Sequence, residues 1–160
     1  MHINELIGNA NIENREVDYK LKYVAGSDAL MDDNYFNTIH WSVTIGTNPG
    51  YDLENQKRMD IGEFTALFQR LAEEEQKQSG VWITAVITPS RLAYMTSVGC
   101  PLGGEYSYTL TGSCNTVFTT VDSYLPALKR VLKRMKEELQ QATFTLEVLP
   151  AHLDYYTDNN

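Results

Sequence analysis

Two amphipathic segments, each followed by a segment of alternating polarity, dominate the pattern of hydrophobic and polar positions in this chain. The first runs from about Asp60 to Ser79 and carries apolar residues at helical spacing. Asp60 and Glu63 form the sequence pattern of a capping box, and Gly80 is typical of a helix end. The pattern predicts a helix over residues 60–79.

The second amphipathic segment runs from about Asp122 to Gln141. Its apolar stripe is continuous, and Asp122 and Ser123 are both good N-caps. Pro126 would fall in the first turn, where its missing amide costs little. The pattern predicts a second long helix.

Alternation of apolar and polar residues, which is the period of a half-buried strand, occurs in six short segments. Pro89 and Ser90 separate two of these segments and predict a tight hairpin. The predicted strands span residues 17–23, 39–45, 81–88, 91–98, 105–113 and 143–149.

The resulting order is ββαβββαβ, and short connections between the strands favour antiparallel pairing. Both helices would bury their apolar stripes against the same sheet face. The sequence therefore predicts an α+β fold, a two-layer sandwich with a mostly antiparallel sheet of about six strands and two long helices packed on one face. We expect a single domain over residues 1–160, with a weakly ordered lead-in at 1–15 and a polar tail at 151–160.

The sheet face opposite the helices would be rich in threonine and would also carry apolar side chains. Such a face is too polar for a core and is typical of a contact surface. Because no acid, base and nucleophile converge in the sequence, we expect a non-enzymatic module for protein interaction or self-association, with a protein partner or as a homo-oligomer. The centre of the contact would consist of Trp82, Thr84, Val86, His40, Thr109 and Thr111.

The net charge of the chain is −8, and an acidic chain is repelled by nucleic-acid phosphates and by anionic membrane surfaces. We therefore expect neither nucleic acid nor a membrane among its partners. No segment is apolar enough to cross a bilayer, and residues 1–16 lack the pattern of a signal peptide. These features predict a cytoplasmic protein.

A cluster of basic residues lies within eight positions of the second predicted helix. The cluster could dock phosphate or an acidic partner. Alternatively, it is the solvated face of the helix, neutralised by the acidic run at residues 73–75, and common surface ion pairs favour this interpretation. The basic cluster consists of Lys129, Arg130, Lys133, Arg134 and Lys136.

A small enzyme or a small-molecule binder is the alternative function. Its pocket would lie at loops 46–59 and 98–104, because a long loop without regular structure is often functional. Cys100 is a weak candidate for a catalytic nucleophile with His40 as its base, and Asp52 is a further reactive group. Nothing in the sequence brings His40 within reach of Cys100.

Cys100 and Cys114 lie at either end of a predicted nine-residue strand, which separates them too widely for a disulfide. Two free thiols are expected. The three histidines have no spacing typical of a metal site, and we expect neither a metal ion nor a cofactor.

Overall fold

The computed structural model describes residues 36–48 and 59–158, which form an antiparallel sheet, two α-helices and a short 3₁₀ helix. The α+β class is therefore confirmed. The elements are β1 (Thr38–Gly46), α1 (Ile61–Ser79), β2 (Val86–Leu92), the 3₁₀ helix (Thr96–Val98), β3 (Glu105–Ser113), α2 (Val121–Glu138) and β4 (Leu146–Ala151).

Within the described residues the sheet has the strand order β2-β3-β1-β4, so that β3 and β1 are central and β2 and β4 are the edges. Every pair is antiparallel, and Val43 of β1 lies opposite Leu110 of β3. About six strands were expected, whereas the described part of the chain contains four. The predicted strand at 17–23 lies outside the described residues.

The predicted hairpin at Pro89 and Ser90 is wrong, because β2 is one continuous strand that runs through both residues. An edge strand tolerates proline, since one row of its amides has no partner in the sheet. The last strand shows the same effect. Pro150 lies inside β4 instead of ending it, and both edges of the sheet therefore carry a proline.

The first helix begins and ends as the sequence predicts. The Asp60 carboxylate accepts a hydrogen bond from the Gly62 amide at 2.7 Å, and the Asp60 amide donates to the Glu63 carboxylate at 3.2 Å. These bonds form the capping box of α1. Gly80 follows the helix in the left-handed conformation, with φ of 75°.

The second helix begins slightly earlier than expected. Thr120, and not Asp122 or Ser123, is the N-cap, and its hydroxyl accepts a hydrogen bond from the Ser123 amide at 3.2 Å. Pro126 consequently lies in the second turn of α2 and not in the first.

The C-terminal end of α2 is a Schellman motif. The Gln140 amide donates to the carbonyl of Glu137 at 3.1 Å, and the Gln141 amide donates to that of Lys136 at 2.9 Å. Gln140 occupies the left-handed position, with φ of 53°, which glycine usually fills. The motif reverses the chain and directs Gln141 back toward the sheet.

Both helices pack on the same face of the sheet. Trp41 of β1 is fully buried there and donates its indole N–H to the hydroxyl of Tyr124 in α2 at 2.8 Å. Phe64 of α1 contacts Tyr108 of β3, with ring centroids 4.4 Å apart. The contacts produce two layers, with the hydrophobic core between them.

The two helices are joined by ion pairs. Arg130 donates to both carboxylate oxygens of the buried Glu75, at 2.6 and 3.1 Å, and Arg134 donates to Glu74 at 2.5 Å. Two members of the basic cluster are thus paired with acids of α1, as the second interpretation of that cluster expects. Among the described residues, no helix is both long and apolar enough to span a membrane.

Candidate functional site

A cavity of about 450 Å³ opens on the sheet face opposite the helices, beside the segment that joins α2 to β4. Its volume falls in the range of small-molecule sites. The cavity is lined by Ser42, Val43, Thr44, Leu92, Tyr94, Glu105, Gln141, Ala142, Thr143, Phe144, Thr145 and Glu147.

Glu105 is the buried acid of this cavity. It stands at the first position of β3, and only 7% of its surface is exposed. Its carboxylate accepts a hydrogen bond from the Tyr94 hydroxyl at 3.3 Å and another from the backbone amide of Asn48. Burial nevertheless raises the pKa of Glu105, because the two hydrogen bonds only partly replace lost hydration. A positively charged group placed beside this carboxylate would compensate for that loss.

The rest of the lining is hydroxyl-rich, acidic and aromatic. Glu147 adds a second carboxylate from β4, and Phe144 adds an aromatic ring. Among the lining residues that the structure describes, there is no lysine, arginine or histidine. Carboxylates attract cations and aromatic faces stabilise them, so the composition of the cavity favours a positively charged ligand.

Hydroxyl groups also connect the strands beside the cavity. Thr44 bonds to Thr109 at 2.8 Å, Thr109 donates to Ser90 at 3.1 Å, and Ser90 bonds to Ser107 at 2.9 Å. These four side chains cross β1, β3 and β2 on one sheet face. The threonine-rich face is therefore held together by its own hydrogen bonds.

The residues predicted for a docking surface are divided between two places. His40, Val86, Thr109 and Thr111 lie on the face opposite the helices, at positions that alternate with the buried core residues. Trp82 and Thr84 precede β2 and lie outside the sheet. They line a groove against α1, in which Trp82 is 66% exposed.

Cys100 and His40 are placed at opposite ends of the sheet. His40 pairs with Ser113 at the end of β3 and also bonds to its hydroxyl at 3.0 Å. The Cys100 thiol contacts the carbonyl of Leu92, which pairs with Glu105 at the start of β3. Eight residues of strand separate the two ends, about 26 Å at 3.3 Å per residue.

Both cysteines are free and buried, which confirms the expected free thiols. Of the predicted pocket, residues 49–58 lie outside the described part of the chain, and Asp52 is among them. Among the described residues, no group of three His, Cys, Asp or Glu side chains is arranged to hold a metal ion.

The acid and the tyrosine of the cavity were not identified from the sequence. Tyr94 falls in the strand predicted over residues 91–98, whereas it follows β2 in a loop, where its side chain is partly exposed and bonds to Glu105. Glu105 was expected only as the first residue of a strand. One local signal could have identified Glu105: it is a glutamate at the first position of a strand whose next positions are buried.

Two comparisons with known proteins, one with family models and one with solved structures, give the same description. A family model described as SAM lyase matches residues 36–157. A solved phage SAM lyase in complex with S-methyl-5′-thioadenosine has a similar fold, with a TM-score of 0.51 and 13% sequence identity, over 76% of this chain and 88% of that chain. No curated protein matches the chain.

The family match corrects the functional prediction made from the sequence. A non-enzymatic module for protein binding or homo-oligomer formation was expected, and the match over residues 36–157 to a lyase family contradicts it. The alternative, a small enzyme, agrees better with that finding. The sequence-based reasoning failed because it sought a nucleophile with a base, whereas the cavity contains an acid, a tyrosine and an aromatic ring.

Proposed function

Because the chain belongs to the SAM lyase family, we propose that it cleaves S-adenosylmethionine (SAM) and releases S-methyl-5′-thioadenosine. The family match over residues 36–157 is the observation that carries the proposal. The relative of similar fold holds S-methyl-5′-thioadenosine, which is the part of SAM that remains after its amino-acid arm has been removed.

The reaction needs no external nucleophile. When the bond between the sulfonium sulfur and Cγ of the amino-acid arm breaks, its electron pair moves to sulfur and produces a neutral thioether. The carboxylate of the same arm forms the new bond to Cγ, which gives a four-carbon lactone without consuming water or moving a proton. Correctly oriented intramolecular attack has effective molarities of about 10⁵–10⁸ M, so the protein needs chiefly to hold the arm bent.

The cavity beside Glu105 has the chemistry that this reaction requires. The sulfonium and the α-ammonium group of SAM are both cationic, and the described part of the lining contains two carboxylates and no basic side chain. During ring closure the negative charge of the SAM carboxylate and the positive charge of its sulfonium disappear together. Water stabilises these charges more strongly before the reaction than in the transition state, where both are already reduced. Displacement of water by the bound substrate would therefore favour the reaction.

We assign Glu105 the role of anchoring a cationic group of SAM, with the Tyr94 hydroxyl fixing the direction of its carboxylate. Because the Glu105 carboxylate is buried and has lost water, a bound cation stabilises it more than it would stabilise an exposed carboxylate. The burial of Glu105 therefore favours substrate binding. Glu147 is exposed and would add a long-range attraction for the cation. The net charge of −8 acts in the same direction.

The experiment is incubation of the purified full chain with SAM, with both products followed by liquid chromatography and mass spectrometry. We expect S-methyl-5′-thioadenosine and an equal amount of homoserine lactone at early times. Glu105→Gln should lower kcat/KM about 10²–10³-fold, the effect of removing one charge-stabilising group. Glu137→Gln, an exposed acid of α2, is the matched control and should retain activity.

Three results would each contradict one part of the proposal: the activity, the site or the ring closure. If the wild-type chain releases no S-methyl-5′-thioadenosine above the spontaneous rate, the proposed activity is wrong. If Glu105→Gln is as active as the wild type, the cavity beside Glu105 is not the site. Formation of 2-aminobut-3-enoate in place of the lactone would show that the arm leaves by elimination and not by ring closure.

A further inference from the structure

The carboxyl group of Glu105 lies against the backbone of β1 where that strand ends. A Cβ atom at Gly46 would stand 2.9 Å from Cδ of Glu105 and 2.8 Å from Oε1 of Gln141, closer than side chains approach. Gly46 therefore allows the close approach of two side chains from distant parts of the sequence. The oxygens of Glu105 and Gln141 converge on the same point.

Asn48 connects these two side chains through its backbone. Its amide donates a hydrogen bond to the Glu105 carboxylate, and its carbonyl accepts one from the Gln141 side-chain amide. The same Gln141 nitrogen donates to the carbonyl of Leu139 at 3.2 Å. Gln141 therefore joins the end of α2 to the segment that contacts the carboxylate.

The side-chain oxygen of Asn48 does not contribute to this arrangement. It is buried, and its Oδ1 has no hydrogen-bond partner among the described residues. Contacts of the Asn48 backbone help to fix the position of its amide. The side-chain amide of Gln141 supplies one of these contacts directly.

The helix end that presents Gln141 is strained. Gln140 has a φ of 53°, a conformation that costs a residue with a Cβ about 1–2 kcal/mol. Strain of this kind occurs often at functional sites, where surrounding contacts hold it in place. The Schellman motif that requires this conformation also directs Gln141 into the cavity wall.

We infer that Gln141 is a positioning residue for Glu105: by binding the Asn48 carbonyl, it holds the Asn48 amide on the Glu105 carboxylate and so fixes the direction in which that carboxylate meets the substrate. The inference rests on the proposed SAM cleavage. Gln141 acts through Asn48 and Glu105, and it has no role of its own in the bond that breaks.

The test replaces Gln141 by methionine, which keeps the length and volume of the side chain but removes its amide. Gln78→Met, at an exposed position of α1, is the matched control. We expect Gln141→Met to lower kcat about 10- to 100-fold with little change in KM, the effect of misplacing a group by up to about 1 Å. In a Glu105→Gln background the same change should have no further effect, because the two residues act as one unit.

Hydrogen exchange gives a second measurement that does not depend on activity. The Asn48 amide should exchange faster in Gln141→Met than in the wild type, whereas amides in the centre of β3 should not change. Equal exchange of Asn48 in both proteins overturns the inference, as does a kcat effect that is as large in the Glu105→Gln background as in the wild type. A wild-type chain that releases no S-methyl-5′-thioadenosine overturns the proposed function instead, and the exchange result then still decides whether Gln141 holds the Asn48 amide.

Discussion

Replacement of Tyr124 by phenylalanine tests how the helical layer is held on the sheet. Tyr124 is 1% exposed and Trp41 is completely buried, and the indole N–H of Trp41 donates to the Tyr124 hydroxyl at 2.8 Å. Burial raises the pKa of Tyr124 to about 12, so the phenol stays neutral and able to accept this bond at all ordinary pH values. Phenylalanine keeps the ring and removes only the acceptor.

The cost follows from what the substitution leaves behind. The ring volume is unchanged, so no large cavity forms, but the Trp41 N–H remains buried without a partner. A buried unsatisfied donor costs about 1–3 kcal/mol, more than the net contribution of a typical hydrogen bond. For a chain of this size, about 2 kcal/mol lowers the Tm by roughly 4–8 °C.

Thermal and urea unfolding of Tyr124→Phe measure this cost directly. Tyr156→Phe is the matched control, because Tyr156 is largely exposed and the same chemical change there should alter stability by less than about 0.5 kcal/mol. SAM cleavage at low temperature should be retained, since Tyr124 lies on the sheet face away from the cavity. A loss of less than about 0.5 kcal/mol in Tyr124→Phe would refute the reasoning.

Two further predictions concern the helices. Glu75→Gln should lower the free energy of unfolding at pH 7 by about 1–2 kcal/mol, after allowing for the half-exposed position of Arg130. The hydrogen bonds from Arg130 lower the pKa of Glu75, so its contribution is complete above the ordinary value of 4.5 and is lost as the pH falls through the lowered pKa. Urea unfolding between pH 3 and pH 7 should therefore show a shallower loss in acid for Glu75→Gln, and parallel profiles would contradict this. Gln140→Gly should raise the free energy of unfolding by about 0.5–1 kcal/mol. This gain is the strain that the Cβ atom causes, less the cost of the extra flexibility that glycine has in the unfolded chain. A lower Tm would show that the left-handed conformation is not strained.

Local pattern predicted the parts of the fold that depend on neighbouring residues. The capping box at Asp60 and Glu63 and the glycine after α1 are set within a few positions of the chain, and the structure contains both. The bounds of β3 also match, and the alternation of Tyr106, Tyr108 and Leu110 with polar residues lies at its centre. The α+β class was predicted from the order of the helices and strands along the chain.

Predictions failed where the outcome depended on distant residues. Pro89 interrupts a central strand but not an edge strand, and the position of β2 at the edge depends on which strands pair. Thr120 caps α2 because its own backbone is extended, with φ of −95° and ψ of 156°, so that its hydroxyl reaches the Ser123 amide. Neither fact is visible in the local pattern.

The candidate site was the least predictable part, since it is assembled from four separate regions of the chain. Glu105, Tyr94, Asn48 and Gln141 come from β3, the loop before it, the end of β1 and the end of α2. None belongs to a motif, and the burial of Glu105 arises only when Gly46 leaves room for its carboxyl group. Sequence reasoning searched for reactive side chains and found Cys100, which the structure buries among backbone carbonyls.

The prolines at the two outer strands limit how this sheet can grow. A free strand edge is a template on which other chains can add by backbone hydrogen bonding, the first step toward fibrils. Pro89, in the middle of β2, and Pro150, near the end of β4, each remove a donor from such a template. The protein can therefore keep a polar, accessible sheet face with less risk of polymerising through its own strands.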